Sequence, residues 1–538
     1  MAKKSKKSPQ TRSPHSGILN WYAARPPYFA QPLGLFSETW TAFQMLSPTV
    51  DANSPTRRAE SLQFLLGREN YERWRKIPYD PARMGLDRMR QLLEQIGSPQ
   101  QSLPVIHVAG TKGKGSTSAM IAATLSAAGY RTGLFTSPHL ERIEERMTID
   151  GRPCEAEEFA TLVDLLRPAV AALDRRAAQG QSGPTFFEIT TAMALLHFQR
   201  QKVRAAVLEV GLGGRLDATN VCQPTVSVIT SISFDHTQQL GNTLTAIAGE
   251  KAGIIKPGVP VVSGVVQPEA RDVIREVCRQ RGCRLVERDT DFAFDYHPPR
   301  HLERDAASGR VVYRPAATNT QAGSLRYTDT QAGSLRYADT QAGSLRHGMA
   351  FDLALPGRHQ AANAATALAT LDVLRQALWD IPPGAAGRAL AALSWPARVQ
   401  VVSRRPAVVL DAAHNVASVE ALVETLEESF SADRRLLIFA TTHDKDARGM
   451  LQSLLGHFDE VYFTRYSNNS RAVPPGELQR VAEELTGRRW PAWDEPAVAW
   501  KAARRAATAD DLICITGSFF LAAEMGSIVR EENLKSEI

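Results

Sequence analysis

At 538 residues the chain is longer than one hydrophobic core usually serves, so two domains are expected. Its 43% hydrophobic, 22% charged and 7% aromatic content excludes wholesale disorder or a fibrous repeat, and the absence of any run of about 18 uninterrupted apolar residues excludes a conventional membrane-spanning helix. The net charge of +6 belongs to one end: residues 1–37 carry Lys3, Lys4, Lys6, Lys7, Arg12 and Arg25 without an acid, and removing those six from 63 basic residues leaves 57, matching the 57 acids.

Residues 1–57 are rich in Pro and Ser with little periodicity, and read as a basic, irregular extension. No apolar core follows the lysines, so a secretory signal is not expected. A solvated tail is favoured over a nucleic-acid-binding arm. Five cysteines (Cys154, Cys222, Cys278, Cys283 and Cys514) form no CxxC pair; an odd count suits no closed disulfide framework and points to a reducing, cytoplasmic setting. From Ser61 the spacing turns helical, with Leu62, Leu65 and Leu66 on one face. Leu86, Met89, Leu92, Leu93 and Ile96 repeat it until Gly97 stops the helix. Short β-type runs at 105–108, 133–136, 205–210, 226–230 and 259–262 then alternate with helical stretches. That alternation implies βαβ units and a mostly parallel sheet.

At 319–348 a decapeptide occurs three times in tandem, beginning at Asn319, Asp329 and Asp339. Each copy holds one strong apolar residue, Leu325, Leu335 or Leu345, too little for a packed solenoid. A duplicated surface insertion is expected, whose deletion spares activity. The α/β pattern resumes with an apolar run at 353–355 and an Ala-rich helix at 360–374. Trp395-Pro396-Ala397-Arg398 marks a junction, and β-type runs at 408–410, 436–439, 461–463 and 512–515 describe a smaller second α/β domain.

The strand at 105–109 runs into Gly110-Thr111-Lys112-Gly113-Lys114-Gly115-Ser116-Thr117 and then an Ala-rich helix. Glycines let backbone N–H groups converge on phosphate oxygens, and the helix N-terminus and lysines add positive charge. The loop departs from the usual G-x-x-x-x-G-K-[ST] by a glycine between Lys114 and Ser116. Ser137, Glu209 and His236 each follow or end a β-type run, at the rim where α/β proteins bind ligands. Together they suit a Mg²⁺ site beside a triphosphate; singly, His236 also fits a hydrogen-bonded structural role. Lys251 lies in a helical stretch at 246–255, where composition alone suggests a solvated salt bridge.

The loop resembles the G-T-[NK]-G-K-G-[ST] of Mur ligases, in particular the folylpolyglutamate synthase/dihydrofolate synthase family. Other motifs of that family follow in order: Thr136-Ser137-Pro138-His139-Leu140, the run 208–220 (LEVGLGGRLDATN), Asp235-His236-Thr237 and the run 250–258 (EKAGIIKPG). Farther on stand Gly357-Arg358-His359-Gln360 with Asn363, Trp395-Pro396-Ala397-Arg398, Asp411-Ala412-Ala413-His414-Asn415, Asp444-Lys445-Asp446 and Gly517-Ser518. Ala397 and Ala412 replace family glycines.

The resemblance, over roughly residues 60–530, implies an α/β fold: a P-loop-type N-terminal domain with a mostly parallel sheet and a smaller, Rossmann-like C-terminal domain. The expected division is extension 1–57, ATP-binding central domain 58–393, linker 394–399 and C-terminal domain 400–538. It implies an ATP-dependent ligase that joins L-glutamate to a folate or dihydropteroate carboxylate through an acyl phosphate. Both synthase activities are expected, with folylpolyglutamate synthase alone or a non-catalytic homologue as alternatives. It assigns Gly110, Thr111, Lys112, Gly113, Lys114, Gly115, Ser116, Asn363, Arg398 and Asp411 to ATP. Ser137, Glu209 and His236 would hold Mg²⁺, with a second ion on a carbamylated Lys251. Lys114, Lys251 and His414 would serve catalysis, and Thr185 (in Thr185-Phe186-Phe187-Glu188), Leu216 and Asp217 the pteroate. Arg83-Met84-Gly85-Leu86 matches the family's pteroate-binding segment poorly at its first residue. A monomer with small-molecule substrates and no membrane or nucleic-acid partner is expected.

Overall fold

The computed structural model describes residues 55–73, 84–177, 183–316, 348–467 and 469–536. The basic tail, Arg83 and the decapeptide repeats up to residue 347 lie outside the described residues. The first helix spans Pro55–Leu66, earlier than the Ser61 start that apolar spacing suggests, so residues 55–57 belong to the helix and not to the extension. Its first turns are fixed by charge: Arg57 bonds Asp164 at 2.8 Å and Arg58 bonds Glu144 at 2.5 Å.

Among the described residues, sixteen strands form three sheets. In chain order they are β1 (Val105–Ala109), β2 (Thr132–Phe135), β3 (Met147–Ile149), β4 (Arg152–Pro153), β5 (Ala205–Glu209), β6 (Pro224–Ile229), β7 (Val261–Ser263) and β8 (Leu285–Glu287). They continue with β9 (Phe292–His297), β10 (Gly309–Pro315), β11 (Met349–Leu353), β12 (Gln400–Arg404), β13 (Ala407–Leu410), β14 (Arg435–Phe439), β15 (Glu460–Phe463) and β16 (Leu512–Thr516). The large sheet runs β4-β3-β2-β5-β1-β6-β7-β8, parallel from β2 to β8 with β3 and β4 antiparallel at one edge. Its central strands are buried on both faces, so they read as continuous apolar runs. Helices Lys114–Ala127 and Arg358–Gln376 cover one face. Helices Leu86–Gln95, Ala156–Ala177 and Phe186–Arg200 cover the other.

Apolar spacing did not reveal the antiparallel sheet β11-β10-β9. Phe292, Phe294, Val311, Tyr313, Phe351 and Leu353 carry it onto the helix Arg358–Gln376. The smaller C-terminal sheet runs β12-β13-β16-β14-β15, parallel except for β12, with a core on each face. Between the helix Pro383–Ala392 and β12 the chain crosses through Ala397 and Val399, both left-handed at φ 54° and 47°. All five cysteines are free thiols. Among the described residues no helix is long and apolar enough to cross a membrane.

Since β10 and β11 pair up to Tyr313 opposite Met349, the repeats connect two strand ends that are already neighbours. Replacing residues 317–347 by Asn-Gly leaves a four-residue loop, Pro315-Ala316-Asn-Gly, between the facing Arg314 and Gly348, a length that closes hairpins, and is expected to keep the fold; thermal unfolding of the shortened chain within a few degrees of the parent checks it.

Candidate active site

The glycine-rich loop leaves the C-terminal end of β1 and enters the helix Lys114–Ala127, whose N-cap Gly113 makes no side-chain cap and whose first turn has no acid. Its open amides and its dipole therefore face the cavity. Gly110 and Gly113 have φ of +151° and +77°. A Cβ would meet Thr230 Oγ1 at 1.9 Å from Gly110 and Asn363 Oδ1 at 2.1 Å from Gly113, so these two glycines are sterically required. The segment after β6 grips the loop. Thr111 N–H donates to Ser231 O (2.8 Å), Lys112 N–H to Ser231 Oγ (3.0 Å) and Thr230 Oγ1 to Lys112 O (2.6 Å).

Glu209 ends β5 and is 5% exposed. Ser137 N–H donates to its Oε2 at 3.2 Å, and Lys114 and Arg398 draw on its charge. Burial nevertheless raises its pKa, so the carboxylate is under-compensated as it stands. His236 lies on the loop after β6 with its Nε2 3.8 Å from Asp235 Oδ1. Burial in the crevice and Lys445 hold its pKa down to about 4, so the ring is neutral at pH 7. Lys251, in the helix Leu244–Ala252, is 4% exposed. Burial, then Lys114, pull its pKa to about 7. It joins no ion pair among the described residues, so the solvated salt bridge suggested by composition is not what the fold builds. No three His, Cys, Asp or Glu side chains among the described residues form a ready metal cage.

The C-terminal domain closes the other wall of a cavity of about 580 Å³ that all these groups line. Arg398 stacks over Phe519 at 4.8 Å and stands close enough to Glu209 to influence its protonation. Asp411 spends both oxygens on the junction, accepting from Val399 N–H at 2.9 Å and Ala413 N–H at 2.7 Å. It thus braces the left-handed turn that presents Arg398. His414 Nδ1 lies 2.8 Å from Ala412 O, and a carbonyl only accepts, so Nδ1 carries the proton and Nε2 the lone pair. Burial and Lys445 lower its pKa to about 4. Asn363 packs on Gly113 and donates to Gln360 Oε1 at 3.1 Å.

The three residues expected at the pteroate end also line the cavity, in different ways. Thr185 caps the helix Phe186–Arg200 and shares a capping box with Glu188, which Arg88 holds at 2.8 Å. Asp217 is committed as well: Oδ2 accepts from Gly211 and Leu212 N–H, both at 2.9 Å, and Oδ1 from Thr219 N–H at 3.0 Å and its hydroxyl at 2.5 Å. Behind it, Thr219 Oγ1 meets His107 Nε2 at 2.8 Å. The threonine's one proton goes to Asp217, so His107 donates, and burial keeps it neutral with a pKa of about 3. Asp217 and Thr185 therefore shape the cavity wall, and Leu216 gives it an apolar surface.

Residues 108–287 match the Mur ligase middle domain and residues 397–519 the Mur ligase, glutamate ligase domain. The chain is 35% identical over 445 residues to the dihydrofolate synthase/folylpolyglutamate synthase of Bacillus subtilis, covering 82% of this chain and 94% of that one. The chain belongs to the folylpolyglutamate synthase/dihydrofolate synthase family. A solved Mycobacterium tuberculosis folylpolyglutamate synthase complexed with ADP superposes with a TM-score of 0.74 at 29% identity, covering 88% of this chain and 98% of that chain. Escherichia coli FolC in complex with DHPP and ADP gives 0.70 at 28% identity, covering 90% and 100%.

Two groups in the cavity wall escaped motif reading, Arg471 and the hydroxyls of Thr230 and Ser231, while Lys445 stands in the motif 444–446 without a role assigned to it there. The run of hydroxyls directly after a strand was a usable signal. Arg471 had none, since it sits alone in a polar loop and acquires its role only when the domains meet.

Asp217→Ala would strand three backbone donors, each costing about 1–3 kcal/mol when buried and unpaired. A fall of at least about 2 kcal/mol is expected from urea unfolding. Ala397→Gly is expected to do the reverse, stabilising by about 0.5–1 kcal/mol because glycine adopts the left-handed region without strain; the same urea midpoints read it.

Proposed function

We propose that this protein is an ATP-dependent ligase that joins L-glutamate to a carboxylate of 7,8-dihydropteroate and of reduced folates, acting as both dihydrofolate synthase and folylpolyglutamate synthase. One observation carries the reading: a single cavity between two domains is lined by the glycine-rich loop, the buried Glu209 and Arg398 together with the apolar and aromatic Tyr71, Phe187 and Leu216. Relatives that match nearly end to end bear both activity names, and a solved relative holds DHPP and ADP together.

ATP would lie with its phosphates on residues 110–116 and its base toward Asn363. The substrate carboxylate attacks the γ-phosphorus, giving an acyl phosphate and ADP. The glutamate amine then attacks the acyl carbon, phosphate leaves, and the amine loses its proton. Lys114 and Arg398 would offset negative charge on the transferring phosphoryl. Closure of the C-terminal domain excludes water that would hydrolyse the acyl phosphate. His414 offers a neutral Nε2 lone pair to the incoming ammonium or amine. Every group comes from one chain, so a monomer suffices.

The residues fit a divalent cation. Glu209 is a buried carboxylate with one protein hydrogen bond and a raised pKa, which is the state of a group awaiting a positive partner. Ser137, Glu209 and His236 would hold one Mg²⁺. Lys251 is buried and, with its pKa near 7, has a neutral amine available to add carbon dioxide; its carbamate would hold a second. Bound there, the ions would neutralise phosphate charge.

The deciding experiment is ATP- and Mg²⁺-dependent incorporation of labelled L-glutamate on 7,8-dihydropteroate and on tetrahydrofolate in parallel. Product on both is expected; product on tetrahydrofolate alone reduces the protein to a folylpolyglutamate synthase, and none on either, with ATP still bound, overturns the reading. Glu209→Ala should cost ligation at least about 100-fold, the scale of losing one group that stabilises the transition state electrostatically.

Carbamylation carries its own test. Protonation blocks the amine, so carbamate at Lys251 should be high above its pKa of about 7 and fall as pH drops through it. A carbonyl signal from ¹³C-bicarbonate that is absent in Lys251→Ala, and fades between about pH 8 and 6, would bear this out.

A further inference from the structure

The central domain meets the C-terminal domain at a carboxylate to which the reaction above gives no part. Asp235 Oδ1 accepts from Lys445 Nζ at 2.9 Å, and its Oδ2 accepts from Asn415 Nδ2 at 3.4 Å. These donors come from different C-terminal loops, Asn415 after β13 and Lys445 after β14. One carboxylate of the central domain thus fastens two loops of the other domain at once. The pair is well screened from solvent: the Lys445 and Asp235 side chains are 10% and 9% exposed. Whatever the net worth of an ion pair so placed, breaking one side leaves the other buried without a partner, which costs far more than losing a surface pair.

The pair sits where a small slip would matter. Asp235 directly precedes His236. Asn415 directly follows His414 and caps the helix Val416–Ser429 through its own side chain. Behind Lys445, Asp444 Oδ2 stands 3.8 Å away, and its Oδ1 bonds Arg471. Arg471 crosses to the central domain as well, donating to Glu72 O at 2.5 Å. Asp444 therefore turns two cations of one domain toward acceptors of the other. Asp446 caps the next helix through Gly449 N–H at 2.8 Å. The three residues 444–446 have separate jobs, and only Lys445 reaches across to a carboxylate.

We infer that Lys445 is a positioning residue, whose ion pair with Asp235 holds the C-terminal domain closed so that His414 and Arg398 stand over the phosphate loop. The inference rests on the ligase reading for its kinetic readout. It assigns Lys445 no contact with the reacting atoms. Catalysis by held groups is sensitive to displacement of about 1 Å, so loosening this pair should lower turnover much more than nucleotide affinity, since residues 110–116 and Asn363 belong to the central domain and Arg398 is the group that would shift.

The test compares the full chain with Lys445→Met, which keeps the length and drops the charge, and Lys445→Arg, which keeps the charge. Lys445→Met is expected to lower kcat at least about 10-fold, the scale of a misplaced catalytic group, with the ATP dissociation constant and the KM for L-glutamate within about twofold. Lys445→Arg should recover most of kcat. Asp235→Asn should lower kcat alone but add little to Lys445→Met, because coupled partners are not additive. A rise confined to the KM for L-glutamate would make Lys445 a substrate contact and overturn the proposal; so would additive losses in the double variant.

Hydrogen exchange supplies a readout independent of ligation. Backbone amides of 412–415 should exchange faster in Lys445→Met than in the parent, while those of β13 and β16 stay protected. Equal exchange at 412–415 would overturn the latch even if the wild-type chain ligated nothing. Failure of the ligase reading itself would show as an inactive wild type with the exchange difference intact.

Discussion

A carboxylate buried at a strand end with a single protein hydrogen bond is an unfavourable arrangement, and Glu209 is that carboxylate. Much of the surrounding architecture makes sense as what tolerates it. The carboxylate lies against the first turn of the helix Lys114–Ala127, beside Gly115. Ser137 gives its amide, and Lys114 and Arg398 lend charge from two domains. The compensation remains incomplete, so the carboxylate beside the glycine-rich loop keeps its pKa raised.

The same low-dielectric crevice sets the other titrating groups. His236, His414 and Lys251 are all displaced toward their neutral forms, first by burial and then by neighbouring cations. A neutral imidazole can accept an N–H, and a neutral amine can act as a nucleophile; their charged forms can do neither. Gathering lysines in one crevice thus acts on the groups around them, because each cation shifts its neighbours toward deprotonation.

Much of this was legible in the sequence. Strand alternation gave the parallel sheet, because strands buried on both faces must be apolar throughout, and the loop 110–117 carries its chemistry in its own backbone. The antiparallel strands β9 to β11 were not legible: Phe292–Phe294 and Val311–Tyr313 are apolar runs of only three residues, set well apart in the chain, and the repeats interrupt the sequence between β10 and β11. The start of the first helix was hidden for another reason, since Arg57 and Arg58 are fixed by partners about a hundred residues away.

Site residues divide along the same line. Where a motif residue ends a strand, as Glu209 does, its place on the rim could be anticipated, and Lys114 and Arg398 line the same cavity. Where a carboxylate serves the backbone, sequence cannot separate bracing from binding. Asp217 and Asp411 look like ligand acids in the motifs, yet each satisfies buried amides that the turns leave without partners. Such acids matter to the site because they hold glycine- and alanine-containing loops in shapes that the chain would not keep unaided. A substitution there reaches the chemistry through geometry, so its cost should appear in stability and in turnover together, whereas loss of Glu209 should spare the fold and remove only the reaction.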